Sequence, residues 1–328
     1  MVRKILRKLS ILMMILGACV CMYPQVSLFY GNYERSTMVK EFEQEMENYR
    51  KWIEETGESQ ESSEDYTQRK EQEEKYQKLT KLKEDLQAYN ENLDTENQSG
   101  FKDAFSYEDS CFQLTEYGLE ENIIGTLWIP RMEVELPVYL GATKGNLKKG
   151  AALLGNTSMP LGGENTNSVI AAHRGGGSTP MFRNIQLLQD GDKIQITTPF
   201  ETLIYRVAEI DIILPNETNR VMIQQGRDLL TLVTCHPYTK NSHRYVVIAE
   251  RSTEEIQEKE ADRKEVETTP AKEEEIEPVA DELLETAGIR YSETQILLEK
   301  YGTIVGAVIL VYILISGIGD CIRSRRGR

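Results

Sequence analysis

The stretch from Leu229 to Ile248, LLTLVTCHPYTKNSHRYVVI, decides the fold class of this chain. Leu229 to Val233 is apolar and β-prone, so it predicts a strand that ends near Cys235. The next segment, 237–242, is rich in turn-forming residues, and Arg244 to Ile248 predicts a returning strand. Such a pair would place a thiol and a guanidinium near one another at the edge of a sheet. That arrangement suits covalent acyl-transfer chemistry.

Short β-like runs separated by turn residues continue on the N-terminal side of this pair. The predicted strands are Gly125 to Ile129, Leu136 to Tyr139, Val169 to Ala172, Lys193 to Thr197, Glu201 to Ile213, Leu229 to Cys235 and Arg244 to Glu250. Seven or eight short strands between residues 123 and 252 predict a mainly β domain, either a barrel or a sandwich.

The acidic residues are concentrated outside this β region. The formal net charge of the 328-residue chain is −15, and the acid lies mainly in Glu41 to Glu96 and in Glu254 to Glu285. Both runs are typical of solvated helix faces or linkers. An acidic chain of this kind repels phosphates, so we expect no nucleic-acid partner.

The cysteines and histidines do not predict a disulfide framework or a metal site. The five cysteines are Cys19, Cys21, Cys111, Cys235 and Cys321, and no pair has CxxC spacing. The three histidines do not form a ligand cluster. We therefore expect no metal and no cofactor.

Residues 31–98 are charged and rich in helix formers, and they predict two helices or a helical hairpin. Phe42, Met46, Tyr49 and Ile53 recur at helical spacing and would share one face. We expect this acidic region to be a stalk that lifts the β domain off a membrane. Residues 253–300 have too few apolar side chains to fold alone and predict an acidic linker.

Both ends of the chain carry apolar segments. At the N-terminus, basic residues precede the run Ile11 to Met22, which predicts a signal anchor within residues 1–30. A cleaved signal and lipidation at Cys19 are the alternatives. At the other end, an apolar segment at 301–320 precedes a basic tail at 321–328.

Positive charge marks the cytoplasmic side of a membrane span. The two ends together predict a protein of the cell membrane with both termini in the cytoplasm and the β domain outside it.

Cys235 is the candidate nucleophile, and a thiol needs a base or a cation nearby to act as one. His173 follows a predicted strand and precedes a glycine-rich loop, so it could handle the proton. Arg244 could hold a substrate or an oxyanion. His236 and His243 are rivals for the base, but alternation along a strand directs His243 to the face opposite Arg244.

These residues resemble the sortase family. Thr231 to Cys235 matches the sortase TLxTC signature, His173 to Gly175 matches its histidine motif, and His243-Arg244 matches its arginine motif. Leu161 to Ser168 is similar to a stretch typical of class C, the pilin-polymerising sortases. The resemblance covers roughly residues 86 to 252.

The resemblance implies an eight-stranded sortase β-barrel with short helices at residues 123–252. It also implies that Cys235 cleaves the Thr-Gly bond of an LPxTG-type sorting signal through a thioacyl intermediate. His173 would protonate the leaving amine, and Arg244 would stabilise the oxyanion or the substrate. A lysine of another pilin subunit would then take the acyl group. Attachment to a cell-wall precursor and hydrolysis by a cysteine protease are the alternative functions.

Class C sortases usually carry a lid with an Asp-Pro-aromatic motif over the site. The corresponding stretch here is Asp103-Ala104-Phe105, within a predicted lid region at 99–122. Alanine in place of proline frees the backbone. We therefore expect a looser lid that is anchored by Asp103 at Arg244 and by Phe105 over Cys235.

Overall fold

A computed structural model describes residues 2–55, 66–93, 98, 103–108, 112–119, 121–175, 181–237 and 240–252. The predicted acidic linker and the predicted C-terminal span and tail lie outside these residues. The chain divides into two compact units, of which the second comprises Tyr33–Gly176 and Pro180–Pro270. The first comprises Met1–Asn32, Gly177–Thr179 and Ala271–Arg328. The candidate site lies in the second unit.

Eight strands and three α-helices make up the regular structure of the described residues. The strands are β1 (Ile123–Ile129), β2 (Val134–Leu140), β3 (Ala151–Leu153), β4 (Thr166–Ala171), β5 (Lys193–Thr197), β6 (Thr202–Ile213), β7 (Asp228–His236) and β8 (His243–Arg251). The α-helices are α1 (Val2–Glu55), α2 (Tyr66–Asn92) and α3 (Lys144–Lys149). Short 3-10 helices occupy Leu114–Tyr117, Pro130–Met132, Ile185–Leu187 and Thr218–Val221.

The strands close into a barrel in the order β1-β2-β3-β4-β7-β8-β6-β5. The pairs β2/β3 and β4/β7 are parallel, and the other pairs are antiparallel. The prediction of a mainly β, eight-stranded barrel is therefore confirmed. The strand that the sequence did not predict is β3, which is only three residues long and gives no readable alternation.

Both faces of β7 are buried. Leu230 and Leu232 belong to the larger apolar cluster, while Leu229 and Val233 belong to a second cluster that also contains Ala104 of the predicted lid. A strand covered on both faces needs apolar residues at every position rather than at alternate ones. This explains the unbroken apolar run that made β7 so visible in the sequence.

The two long helices pack against the barrel. Phe42, Met46 and Tyr49 of α1 and Leu82 of α2 are buried in the same apolar cluster as the barrel residue Leu127. In the expected stalk region, residues 31–55 and 66–92 are helical, and from Tyr33 onward this region shares a compact unit with the barrel. Its apolar stripe needed a partner, and the barrel provides one.

Polar contacts join the helices to the barrel at several points. The Arg50 guanidinium donates to the Thr198 carbonyl at 2.8 Å. The Asn90 side chain accepts from the Met159 backbone N–H at 2.7 Å and donates to the Met159 carbonyl at 3.0 Å. The Tyr117 hydroxyl, in the segment just before β1, donates to Asp85 of α2 at 2.7 Å. Arg50 thus ties α1 to the barrel, and the contacts of Asn90 and Asp85 hold α2, whose end leads toward the predicted lid.

Among the helices of the described residues, none combines the length and the apolar character needed to cross a bilayer. Of the predicted N-terminal span at 1–30, residues 2–30 belong to α1. Its apolar run, Ile11 to Met22, is shorter than the roughly 20 residues that a span requires. The flanking membrane segments are thus not confirmed and stay predictions.

We expect Leu82→Ala to destabilise the barrel, although Leu82 lies on a helix. Its side chain is fully buried in the core that the helices share with the barrel, and such truncations cost about 2–5 kcal/mol. Unfolding in urea should be followed by tryptophan fluorescence in a Trp52→Phe background. Trp128 of β1 then reports the barrel alone, because the chain has two tryptophans.

Lys81→Ala is the matched control, because its side chain is exposed on the next position of the same helix. It should leave the Trp128 transition unchanged. A helix that acts as an independent stalk would give the opposite result for Leu82→Ala, with helicity lost early and the Trp128 transition unmoved.

Candidate active site

Cys235 and Arg244 are direct partners across the β7/β8 pair. Cys235 is the second-last residue of β7, and Arg244 is the second residue of β8. Directly opposed residues of an antiparallel pair project to the same face, with Cα atoms about 4.5–5.5 Å apart. The sheet itself therefore places the thiol beside the guanidinium, as the sequence predicted.

His173 reaches the same face through the parallel pairing of β4 with β7. Ala171 is opposite Val233, so the register continued by two residues brings His173 level with Cys235. Two bonds extend the pairing past the end of β4: the Ala172 N–H donates to the Val233 carbonyl at 3.2 Å, and the Thr234 hydroxyl donates to the Ala172 carbonyl at 2.7 Å. The structure thus gathers all three predicted site residues at one end of neighbouring strands.

The thiol and the imidazole are both uncharged in this arrangement near neutral pH. Burial raises the pKa of the Cys235 thiol; Arg244 and Arg174 lower it, and Asp103 adds to the increase. Burial also lowers the pKa of His173. A thiol with a raised pKa keeps its proton, and an imidazole with a lowered pKa is a weaker base. Both shifts therefore disfavour transfer of the proton from Cys235 to His173 while the site is covered.

Asp103 forms a two-pronged ion pair with Arg244. The Nε and Nη2 atoms of Arg244 donate to Oδ1 and Oδ2 of Asp103, each at 2.6 Å. The remaining nitrogen, Nη1, donates to the carbonyls of Asn241 at 2.9 Å and His243 at 2.8 Å. Burial lowers the pKa of Arg244, but the bonds from Asp103 outweigh it, so the net shift is upward. All three nitrogens of the Arg244 guanidinium therefore donate hydrogen bonds, two of them to Asp103 and the third to carbonyls of the β7–β8 connection.

Phe105 completes the cover over the site. Its ring stacks on the His173 imidazole, with centroids 5.8 Å apart and planes at 25°. The Arg244 guanidinium carbon lies 5.2 Å from the centre of the same ring. The sequence placed Phe105 over Cys235, whereas the recorded ring contacts are with the two residues that flank the thiol. Ala104, at the usual proline position, is buried between the two anchors.

A small, mostly apolar groove lies where the lid meets the barrel, and Asp103, Thr218 and Arg244 form its polar lining. Its wall is formed by Leu154, Ile213, Pro215, Val221 and Val233, with Ala104 on the lid side. Sequence reasoning did not identify this groove, because its wall comes from strand ends and loops that are far apart in the chain. In this covered state it could hold a small apolar group beside Arg244, and it would widen if Ala104 moved away.

The two rival histidines lie away from the thiol face. His236 is buried and contacts the Arg174 guanidinium, and burial together with Arg174 and His243 lowers the pKa of His236 to about 4. His243 is opposite His236 in the strand pair, and its Nδ1 lies 2.9 Å from the Ser242 hydroxyl. Of the three histidines, His173 has the position that suits a base for Cys235.

Within the described residues, no three or more His, Cys, Asp or Glu side chains come together in a way that could hold a metal ion. The polar groups around Cys235 are instead two arginines, a histidine and the lid carboxylate. This set can move a proton and stabilise negative charge, which is what attack of a thiolate on a carbonyl requires.

Comparison with known proteins agrees with this geometry. A family model described as the sortase domain matches residues 127–252. Sortase A of Bacillus anthracis is 29% identical over 174 residues, which cover 52% of this chain and 81% of that relative.

Solved structures extend the likeness to sortases of the C type. Sortase C of Streptococcus pneumoniae, described in terms of its pilin substrate specificity, matches with a TM-score of 0.53 at 29% identity, covering 68% of this chain and 100% of that chain. A mutant of sortase C-1 from the same species matches with a TM-score of 0.50 at 31% identity, covering 55% of this chain and 91% of that chain.

We expect the double variant Asp103→Ala/Phe105→Ala to speed modification of Cys235 by a small thiol reagent. Losing the charge-assisted bonds removes ~1.5–3 kcal/mol of lid anchoring, which corresponds to about a 10- to 100-fold faster reaction. The pH at which the rate is half-maximal should also fall, because Asp103 and burial both raise the pKa of Cys235. Stopped alkylation followed by mass spectrometry gives the rate at each pH.

Asp192→Ala is the control for this measurement, because it breaks an exposed ion pair with Arg131 at another part of the barrel surface. It should react like the unmodified chain. An unchanged rate in the double variant would show that the segment does not cover Cys235.

Proposed function

Because this chain belongs to the sortase family of cysteine transpeptidases, we propose that it polymerises pilin subunits on a cell surface. In this proposal it cleaves an LPxTG-type sorting signal and joins the acyl part to a lysine amine of another subunit. The observation that carries the proposal is the direct pairing of Cys235 with Arg244 beside His173. The similarity to sortase C of Streptococcus pneumoniae, with its pilin substrates, supports the choice of substrate.

The first half of the proposed reaction forms a thioester. Cys235 gives its proton to His173, and the sulfur attacks the carbonyl carbon of the threonine in the Thr-Gly bond. Arg244 stabilises the negative charge that develops on the carbonyl oxygen. The intermediate then collapses, the C–N bond breaks, and His173 protonates the departing glycine amine.

The second half transfers the acyl group. A lysine amine attacks the thioester, loses a proton to His173, and forms an isopeptide bond as the Cys235 sulfur leaves. The sulfur then recovers a proton, so no oxidant or cofactor is required. Water in place of the amine would give hydrolysis, so the acceptor determines the product.

Arg244 can serve this reaction only after Asp103 releases it, since both prongs of the guanidinium are occupied in the closed state. In our proposal the sorting signal enters the apolar groove and displaces Ala104 from its wall. The leucine and proline of the signal suit such an apolar surface. Substrate binding and lid opening would therefore be one coupled step.

We expect the full chain, incubated with an LPxTG peptide and a peptide carrying a free lysine, to show a transient acyl adduct on Cys235. The acyl group should then appear on the lysine. Mass spectrometry of the intact protein and of the products measures both steps. Cys235→Ala should abolish both, with at least about a 10³-fold loss, because no other group replaces the nucleophile.

Cys19→Ala is the matched control, because Cys19 is an exposed free cysteine of α1. It should retain full activity. An adduct that only hydrolyses would favour a cysteine protease, and transfer to a cell-wall precursor but not to lysine would favour the anchoring function. No adduct at all, with Cys235→Ala behaving like the unmodified chain, would leave a non-catalytic scaffold.

We also propose that the barrel works outside the cytoplasm, with both termini inside. The basic residues before Ile11 to Met22 and after the apolar segment at 301–320 support this topology. In intact cells, a membrane-impermeant protease should cleave the barrel unit but leave a C-terminal tag beyond Arg328 intact. Protection of the barrel until the cells are lysed would contradict the topology.

A further inference from the structure

The three residues that directly follow the site residues in the chain form a side-chain cluster of their own. Arg174 follows His173, His236 follows Cys235, and Tyr245 follows Arg244. Successive residues of a strand project to opposite faces. His236 and Tyr245 therefore lie on the face of the sheet away from the lid, and Arg174, in the loop after β4, contacts both of them.

The burial pattern supports this division of faces. Val233 lies two residues before Cys235, and Val246 two residues after Arg244, so each shares a face of its strand with the site residue. Both valines pack in the cluster that includes the lid residue Ala104. Leu232 and Val247 lie on the other face of these strands, which is the face of His236 and Tyr245. They belong to the larger apolar cluster, and Tyr245 packs against it. The two groups thus face different clusters while sharing the same strand ends.

Arg174 connects the members of the rear group. Its Nη1 atom donates to the Cys235 carbonyl at 3.4 Å and contacts Nδ1 of His236. Its Nη2 atom donates to Gln186 at 3.2 Å. The guanidinium carbon also lies 5.5 Å from the centre of the Tyr245 ring. The buried guanidinium of Arg174 therefore contacts the backbone of Cys235 and the side chains of His236 and Tyr245.

His236 and Tyr245 are also in contact with each other, with ring centroids 5.7 Å apart. Because the His236 ring is neutral, its Nδ1 can accept the Arg174 bond. The Tyr245 ring offers its face to the same cation. Arg174 thus contacts both rings, and these contacts restrict the direction in which it meets the Cys235 carbonyl.

We propose that Arg174 is a positioning residue for the transpeptidation chemistry, clamped between His236 and Tyr245 so that it orients the Cys235 backbone and places positive charge behind the sulfur. The inference rests on the proposed function, in which Cys235 is the nucleophile. We call Arg174, His236 and Tyr245 the rear clamp.

The rear clamp acts in two separable ways. Its hydrogen bond to the Cys235 carbonyl fixes the end of β7, where the chain leaves the sheet and the sulfur must meet a carbonyl carbon. Its charge favours the thiolate, since Arg174 lowers the pKa of Cys235. The other charged groups that act on the thiol are Arg244 from β8 and Asp103 from the lid. Asp103 and Arg244 line the apolar groove, whereas Arg174 contacts His236 and Tyr245 on the other face of the sheet.

Arg174→Gln and Arg174→Lys separate the two effects. Both are made in the Asp103→Ala/Phe105→Ala background, so that the lid does not mask the thiol. The pH dependence of Cys235 alkylation by iodoacetamide reports the charge. Turnover of an LPxTG peptide with a lysine acceptor reports the positioning, and circular dichroism melts check that each variant is folded.

We expect Arg174→Gln to move the alkylation midpoint upward, because a cation that lowers the pKa of the thiol has been removed. We also expect kcat to fall about 10- to 100-fold, the scale of a misplaced reacting group, with KM nearly unchanged. Arg174→Lys should restore the midpoint but not kcat, because a point charge cannot bridge a carbonyl and an imidazole. Arg131→Gln, which removes an exposed arginine, should change neither.

A folded Arg174→Gln variant with the same midpoint and the same kcat as its background would overturn the inference. Should that variant not fold, His236→Leu replaces it: it removes the acceptor and should lower kcat, and His236→Gln, which keeps an acceptor, should restore it. Equal kcat values for His236→Leu and His236→Gln would also contradict the proposed role of the rear clamp. Failure of the unmodified chain to form a Cys235 adduct would instead reject the proposed function, and the alkylation profiles would still test the charge effect.

Discussion

The register of β7 between β4 and β8 is the constraint on which the site depends. It sets Cys235 opposite Arg244 and brings His173 level with the thiol. A slip of one residue would send these side chains to the opposite faces of the sheet. Because both faces of β7 are buried in separate apolar clusters, such a slip would also misplace the core. The fold's packing and the geometry of the site are therefore stabilised by the same interactions.

The contacts of Arg244 with the lid residue Asp103 stabilise the covered state of the site. Asp103 accepts two short bonds from the guanidinium and also raises the pKa of Cys235, so one carboxylate both occupies Arg244 and favours the protonated thiol. Phe105 adds a ring against His173. A buried cation is costly without a partner, which makes the lid carboxylate a stabilising contact as well as an obstacle. Opening the lid requires something that can take the place of Asp103 at Arg244.

Sequence reasoning predicted the strands well where alternation or an apolar run was long. Lys193 to Thr197 coincides with β5, whereas the three residues of β3 give too short a signal. The stripe of Phe42, Met46 and Tyr49 was visible, but the sequence could not say that the barrel would cover it. The three candidate site residues, which the structure brings together, were proposed from strand ends and motifs. The groove wall and the contacts of Arg174 were not, because they join side chains whose proximity depends on the closed barrel and its loops.

Closure of the barrel has a consequence for how any peptide can be recognised. Every strand in the described part of the chain has two paired neighbours, so free N–H and C=O groups remain only where one strand outruns its neighbour. β6 does so beyond Arg206, where its register with β5 ends while its pairing with β8 continues to Ile213. A ligand could add itself as a further strand, the mode that other peptide-binding domains use, only along such a stretch. Elsewhere on the barrel, sequence preference must come from side-chain shape and charge.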